Sequence, residues 1–180
     1  MKDSIFLELL ETVLSSIVVI FVIYTTIAIP EQVQGASMEP SFFSGERILV
    51  EKVTKHFKDF ETGETIVLHP PNDDNVDFIK RVVAVPGDIA KIFNCDVYIN
   101  RDGHKYKLDE PYLFDDTCTS AGGRLKEGRS LEIGENQYLV LGDNRSRSAD
   151  SRSFGLIEKE RIVGRVVFRF WPLSQIGYID

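Results

Sequence analysis

Val76-Asp77-Phe78-Ile79-Lys80-Arg81-Val82-Val83-Ala84-Val85 is the stretch that decides the fold. It is rich in β-branched and aromatic residues, and Pro86-Gly87-Asp88 stops it, which predicts a β-strand ended by a turn. Side chains of a strand alternate between its faces. One face then carries Val76, Phe78, Lys80, Val82 and Ala84, and the other Asp77, Ile79, Arg81, Val83 and Val85. Lys80 is the only polar residue on its face.

The same signature recurs on both sides. Arg47–Val53 and Thr65–Leu68 read as strands, with Glu61-Thr62-Gly63-Glu64 turning between them. Asp88–Phe93 and Asp96–Asn100 continue the pattern up to a turn at Arg101-Asp102-Gly103. Gln137–Leu141 runs into Gly142-Asp143-Asn144, and Arg161–Phe170 is the last strand. Residues 109–130 mix Pro, Gly, Asp, Ser and charges of both signs, so they read as an excursion from the main sheet. No stretch beyond the N-terminal region keeps a 3.6-residue apolar period, so the expected fold is mainly β, an antiparallel sheet or barrel-like domain.

The N-terminal region is different. From Thr12 to Pro30 there is no charge, and the core Val13–Ile29 is apolar apart from scattered Ser, Thr and one Tyr. The 19 residues from Thr12 to Pro30 would rise ~28 Å as a helix, close to the ~30 Å hydrocarbon thickness of a bilayer. A cleavable leader has an apolar region of ~7–15 residues behind a basic start. Here the run is longer and follows Met-Lys-Asp-Ser, Glu8 and Glu11, which favours a retained transmembrane helix. Lys2 is the only basic residue before it and Arg47 the next one after it, a weak bias that does not oppose putting the rest on the far side. The expected division is a tail and anchor over 1–30 and a β domain over 31–180, with 92–135 as a less regular β excursion.

Composition excludes some functions. A net charge of −7 argues against nucleic acid, which needs a basic face. Arg145, Arg147 and Arg152 cluster, but with Asp143 and Asp150 among them they read as an ion-pair network. Two cysteines, Cys95 and Cys118, are too few for a four-cysteine zinc site. They close a loop in an oxidising compartment and are two unrelated thiols in a reducing one; their spacing does not choose.

The chemistry gathers at Lys80 and Ser37. Burial disfavours an ammonium and lowers a lysine pKa by up to ~3–5 units, which makes a buried Lys80 a proton acceptor; a lysine near a sheet edge would instead reach water with its amine. A serine hydroxyl needs an adjacent base to become a nucleophile. None of His56, His69 and His104 sits in a motif suggesting a triad. Gln34-Gly35-Ala36-Ser37-Met38-Glu39-Pro40 is a turn-forming stretch just after the apolar run, so Ser37 is placed within roughly 30 Å of that run's end at Ile29. A Ser–Lys pair follows, its lysine arriving from a distant strand.

These residues resemble a known family, the type I signal peptidases, which are membrane-anchored Ser–Lys proteases. Four segments match in the family's order: Gly35-Ala36-Ser37-Met38-Glu39-Pro40, Gly45-Glu46-Arg47-Ile48-Leu49-Val50, Phe78 through Asp88, and Gly142 through Gly155. The resemblance implies that Ser37 is the nucleophile and Lys80 its general base, with the Ser148 hydroxyl holding the lysine amine. It implies that Asp143, Arg145, Asp150 and Arg152 brace the site by ion pairing, and that Arg81 is structural. Val33, Met38, Phe42, Phe78 and Ile79 match or neighbour the apolar substrate pockets, and the backbone N–H at Ser37 would bind the oxyanion. Gly35 stands where some members carry an oxyanion-binding serine, and Ser41 where threonine is usual; Gly35 shifts the oxyanion's stabilisation toward backbone groups.

The implied activity is removal of N-terminal signal peptides from exported preproteins after small residues in an Ala-x-Ala-like segment, through an acyl-enzyme. The resemblance also implies no cofactor and no metal, and a single-pass monomer of the inner or cytoplasmic membrane with its β domain on the extracytoplasmic side. Its partners would be signal peptides and the lipid bilayer. The rivals are a Ser–Lys peptidase dedicated to one substrate and an anchored β-module without catalysis. Phe168, Phe170 and Trp171 are expected in the core rather than in a lipid-facing patch.

Overall fold

In the computed structural model, which describes residues 2–71 and 73–179, the uncharged N-terminal run divides between two kinds of structure. Helix α1 spans Lys2–Val22, a π-helical turn covers Ile23–Ile27, and strand β1 takes Ala28–Gln32. The expected span over 12–30 is therefore corrected: the apolar helical stretch is Ile5–Val22, 18 residues with none buried against the rest of the protein. Its length is ~27 Å. The helix gives way where Ile23, Tyr24 and Thr26 crowd β-branched and aromatic side chains against the preceding turn. Pro30 sits in β1, an edge strand, where its missing N–H costs no ladder bond. From the helix end at Val22 to Ser37 is fifteen residues, so the tether's contour limit widens to ~50 Å.

The hydroxyls inside the helix are satisfied locally. Thr12 donates to the Glu8 carbonyl at 2.8 Å, and Ser15 and Ser16 donate to the Thr12 carbonyl at 2.9 and 2.7 Å. An apolar surround would penalise any of them left unpaired. The side chain of Lys2, on which the orientation reading rests, lies outside the described residues.

Eleven further strands follow: β2 Arg47–Glu51, β3 Thr65–Leu68, β4 Phe78–Ala84, β5 Ile89–Phe93, β6 Asp96–Arg101, β7 His104–Lys107, β8 Ser130–Glu132, β9 Gln137–Leu141, β10 Ile157–Glu158, β11 Ile162–Trp171 and β12 Gly177–Tyr178. A short helix α2, Ser151–Phe154, precedes β10. The large sheet runs β1-β2-β11-β3-β4-β9-β10 with β12 on β11, and the small one β7-β6-β5-β8. Every pairing is antiparallel.

The predicted strands are all present, β3 and β9 with the predicted ends and the others with shifted ones, while β1, β7, β8, β10 and β12 had no sequence prediction. β4 begins at Phe78, and its register slips between Val82 and Ala84, so strict alternation ends there. Its residues consequently feed three cores. Ile79 joins Val33, Met38, Phe42 and Val67; Val82 joins Phe60, Ile66 and Tyr138; Val83 and Ala84 join Ile92, Ile99 and Leu139. The small sheet lies on the third of these cores, and Cys95 and Cys118 form a disulfide at its margin. Trp171 departs from the core expectation: it is half exposed, and Phe168 and Phe170 are only partly buried. Leu173, Ile176 and Tyr178 are exposed beside it.

Candidate active site

Ser37 lies in the connection between β1 and β2, where the chain folds over itself. Gly35 takes φ +82°, a left-handed conformation that glycine adopts without a Cβ penalty. Two residues downstream of that bend, Met38 and Phe42, are each 1% exposed and sit in the core with Val33 and Ile79. The Phe42 N–H donates to the Met38 carbonyl at 2.9 Å. This anchors the turn that presents Ser37. Met38 and Phe42, expected near the substrate pockets, are core residues and are not among those lining the cleft described below.

Lys80 arrives from the middle of β4. Its Nζ donates to Ser37 Oγ at 2.9 Å and to the Ile79 carbonyl at 2.7 Å, and lies 5.1 Å from the Phe78 ring centroid. The residue is 3% exposed. Burial pulls its pKa down to about 8, and the charges of Asp150 and Asp143 offset part of that fall. The amine therefore loses its proton far more easily than an ordinary lysine.

The loop after β9 holds the other side of Ser37. The Asn144 N–H donates to the Ser37 carbonyl at 3.0 Å. Arg81 meets Asp143 with two bonds, Nε to Oδ1 at 2.9 Å and Nη2 to Oδ2 at 2.6 Å. Asp150 accepts from the Gly142 N–H at 3.1 Å and from Arg152 Nε and Nη2 at 2.8 and 2.7 Å. It also caps α2 through the Arg152 N–H. Such bidentate pairs, nearly or fully buried, are the stronger kind of charged hydrogen bond. Only the Asp150–Arg152 pair closes within the loop. Asp143 pairs with Arg81 of β4, and Arg145 pairs with Glu110, 35 residues earlier, and bonds Thr119. No local spacing signals Glu110 or Thr119.

Ser148 is where geometry and expectation part. Its Oγ is buried without a hydrogen-bond partner, and Lys80 Nζ donates to Ser37 and the Ile79 carbonyl instead. The hydroxyl is packed against Gly142: a Cβ there would fall 2.2 Å from Ser148 Oγ and 2.5 Å from the Ser37 carbonyl oxygen. Gly142→Ala is accordingly expected to force Ser37 and Ser148 apart. The overpacking should destabilise by about 1–3 kcal/mol and lower the rate of any Ser37-dependent reaction. A thermal melt and a rate assay on the same preparation check it.

A cleft of about 580 Å³ opens onto Ser37 and Lys80. It is lined by residues 31–37 and 75–80, together with Ile48, Val67, Arg147 and Ala149. Val33, Phe78 and Ile79 line it as expected substrate-side residues; Glu31 and Asp77 lie on its walls without having been anticipated. Burial and the Asp77 charge raise the Glu31 pKa. The cleft is lined on both sides by extended segments, and the bonded Ser37–Lys80 pair is among its lining residues.

The model of the family described as "Signal peptidase, peptidase S26" matches residues 6–171. Signal peptidase IB of Staphylococcus aureus strain MRSA252 is 37% identical over 185 residues, covering 95% of this chain and 94% of that protein. The strain COL protein of the same name matches to the same extent. A crystal structure of a signal peptidase I from Enterococcus faecalis V583 aligns with TM-score 0.48 at 26% identity, covering 60% of this chain and 97% of that one.

Proposed function

Since this chain belongs to the signal peptidase family, peptidase S26, we propose that it is a membrane-bound serine endopeptidase that removes N-terminal signal peptides from exported preproteins. The observation that carries the mechanism is the 2.9 Å contact between Lys80 Nζ and Ser37 Oγ at the floor of an open cleft. Neutral Lys80 accepts the Ser37 proton, and Oγ attacks the carbonyl carbon of the scissile bond. The tetrahedral oxyanion is met by backbone N–H groups at Ser37, Gly35 offering no side chain for the task. The Lys80 ammonium then gives its proton to the departing amine, leaving an acyl-enzyme on Ser37. Lys80, neutral again, takes a proton from water, which attacks the ester, and returns it to Ser37 Oγ as the C–O bond breaks, restoring the free enzyme.

The substrate enters extended, adding a strand beside residues 31–36, as peptides do at open sheet edges. Val33, Phe78 and Ile79 surround its side chains next to the cut and leave room for small ones, which accounts for cleavage after an Ala-x-Ala-like segment. Asp143, Arg145, Asp150 and Arg152 keep the loop against Ser37. In this reading the buried, unpartnered Ser148 hydroxyl accepts a bond from the Lys80 amine during the reaction. Helix α1 holds the protein, as a monomer, in the cell membrane, and its β domain works on the extracytoplasmic side. There a signal peptide ends its own crossing.

The test is a preprotein panel. The full chain in detergent should cut several unrelated preproteins, each once, after a small residue, with the site read by N-terminal sequencing of the product. Cutting only one member of the panel would make it a dedicated peptidase. No cutting of any would remove the peptidase assignment for this chain.

A further inference from the structure

The segment from Glu110 to Arg124 has no sequence signal for function, yet it touches every arginine that holds the loop. The Tyr112 ring stacks 4.0 Å from the Arg81 guanidinium. The Tyr112 hydroxyl donates to Glu110 at 2.8 Å, and the Glu110 carboxylate in turn binds the Arg145 guanidinium. Arg145 Nε donates to the Gly142 carbonyl at 3.1 Å, and its Nη1 to Thr119 Oγ1. Further on, the Arg124 N–H donates to the Arg152 carbonyl at 3.0 Å. The strap is fixed to the small sheet at one point by the Cys95–Cys118 disulfide, and the neighbouring Thr119 N–H donates to the Cys95 carbonyl at 2.9 Å. Both half-cystines are exposed, and Thr119 is 1% exposed.

We propose that Tyr112 and Glu110 are positioning residues for the Lys80–Ser37 pair, and that the Cys95–Cys118 bond is the tether that keeps them in place. Tyr112 covers the Arg81–Asp143 pair and Glu110 covers Arg145, so the strap excludes water from the far side of the loop whose near side holds Ser37. The charged groups around Lys80 are Asp143 and Asp150 on the loop and Glu31, Asp77 and Arg147, which line the cleft with it; Arg81, next to it on β4, points to the other face and reaches it only through Asp143. Asp143 is neutralised by Arg81 at bonding distance, and Arg81, which also donates to the Gly63 carbonyl at 2.8 Å and Ser41 Oγ at 3.2 Å, is covered by the Tyr112 ring. Uncovering the pair admits water, which solvates the guanidinium and the ammonium alike; both effects favour the charged form of Lys80.

This rests on the Ser–Lys reading above, and the experiment separates the two. Side-chain NMR titration of Lys80 in the full chain in detergent needs no substrate. Tyr112→Ala should move the Lys80 midpoint upward by about one pH unit, while Tyr112→Phe, which keeps the ring, should leave it near the wild-type value. In a preprotein assay Tyr112→Ala and Glu110→Gln should lower kcat by about 100-fold with little change in KM, and thermal melts report whether each variant is folded. The chain has no other cysteine, so a phosphine reductant acts at one bond. As the S–S bond opens to two thiols, the phosphine is oxidised to its oxide with oxygen from water, and kcat should fall comparably. Cys95→Ser/Cys118→Ser should show that lower rate and ignore the reductant.

A folded Tyr112→Ala protein with an unmoved Lys80 midpoint would overturn the positioning role, and an unchanged rate after reduction would overturn the tether. Either can occur while Ser37→Ala is inactive, in which case the peptidase reading stands without the strap.

Discussion

Ser37→Ala is expected to lower kcat/KM on any cleaved preprotein by about 10⁴-fold or more without changing the fold. The substitution deletes one atom, Oγ, whose partner here is the Lys80 amine. What seats the turn is unaffected: Met38 and Phe42 remain in the core, and the Ser37 carbonyl still accepts from the Asn144 N–H. Lys80 keeps its bond to the Ile79 carbonyl, so the thermodynamic effect should stay within about 1–2 kcal/mol. Because the cleft walls at 31–36 and 75–79 are untouched, the variant should bind a signal peptide with affinity close to that of the wild type. Electrophoretic detection of the mature product measures the rate, and fluorescence anisotropy of a labelled signal peptide measures binding. Cleavage by Ser37→Ala at a rate near the wild type's would refute the nucleophile assignment.

How much of this was legible in the chain differs by residue. The β4 reading worked because the stretch is rich in β-branched and aromatic residues and Pro86-Gly87 ends it. It stopped working at Val83, where a bulge shifts the register, since a bulge depends on the partner strand β9 rather than on local composition. The apolar run misled by its continuity. Ala28 and Ile29 look the same in a bilayer helix and in an edge strand, and the pairing with Glu51 and Val50 that decides between them is not local. β7, β8 and β10 are short, and β7 is exposed throughout, so no apolar pattern marks them.

The site was legible where side chains were chemically out of place and opaque where partners lie far apart in sequence. A lysine among apolar strand residues announced Lys80. Met38 carried the motif but is held by packing, a role that motif matching cannot tell from substrate contact. Arg145 announced an ion pair without naming Glu110. The disulfide between Cys95 and Cys118 needed two segments of the excursion to be brought together, which depends on the small sheet rather than on the spacing of 23 residues.

Lys80→Met should abolish activity and at the same time stabilise the protein near neutral pH, a combination that separates a strained catalytic group from a structural one. In the folded chain the amine releases its proton at about 8, whereas in the unfolded chain it does so near the ordinary value of about 10.4. Between those values the unfolded state binds more protons than the folded one, so stability to unfolding rises with pH. The penalty for enclosing the ammonium is present in full below the folded value and vanishes above the unfolded one. Methionine fills a similar volume with no charge. At pH 6–7 Lys80→Met should therefore exceed the wild type by up to about 3 kcal/mol, and the difference should shrink toward zero near pH 10.5. Lys80→Arg should be as inactive but without the gain, because a guanidinium stays charged at every pH used. The wild-type kcat/KM should in turn climb with pH and level off above about 8, since only the neutral amine can take the Ser37 proton. Denaturant melts of the three proteins across pH 6–10.5, alongside a pH–rate profile of the wild type, read all of this out. Equal stabilities of wild type and Lys80→Met at pH 6.5, with a flat rate profile from pH 6 to 9, would show that the amine is an ordinary solvated cation and could not serve as the base.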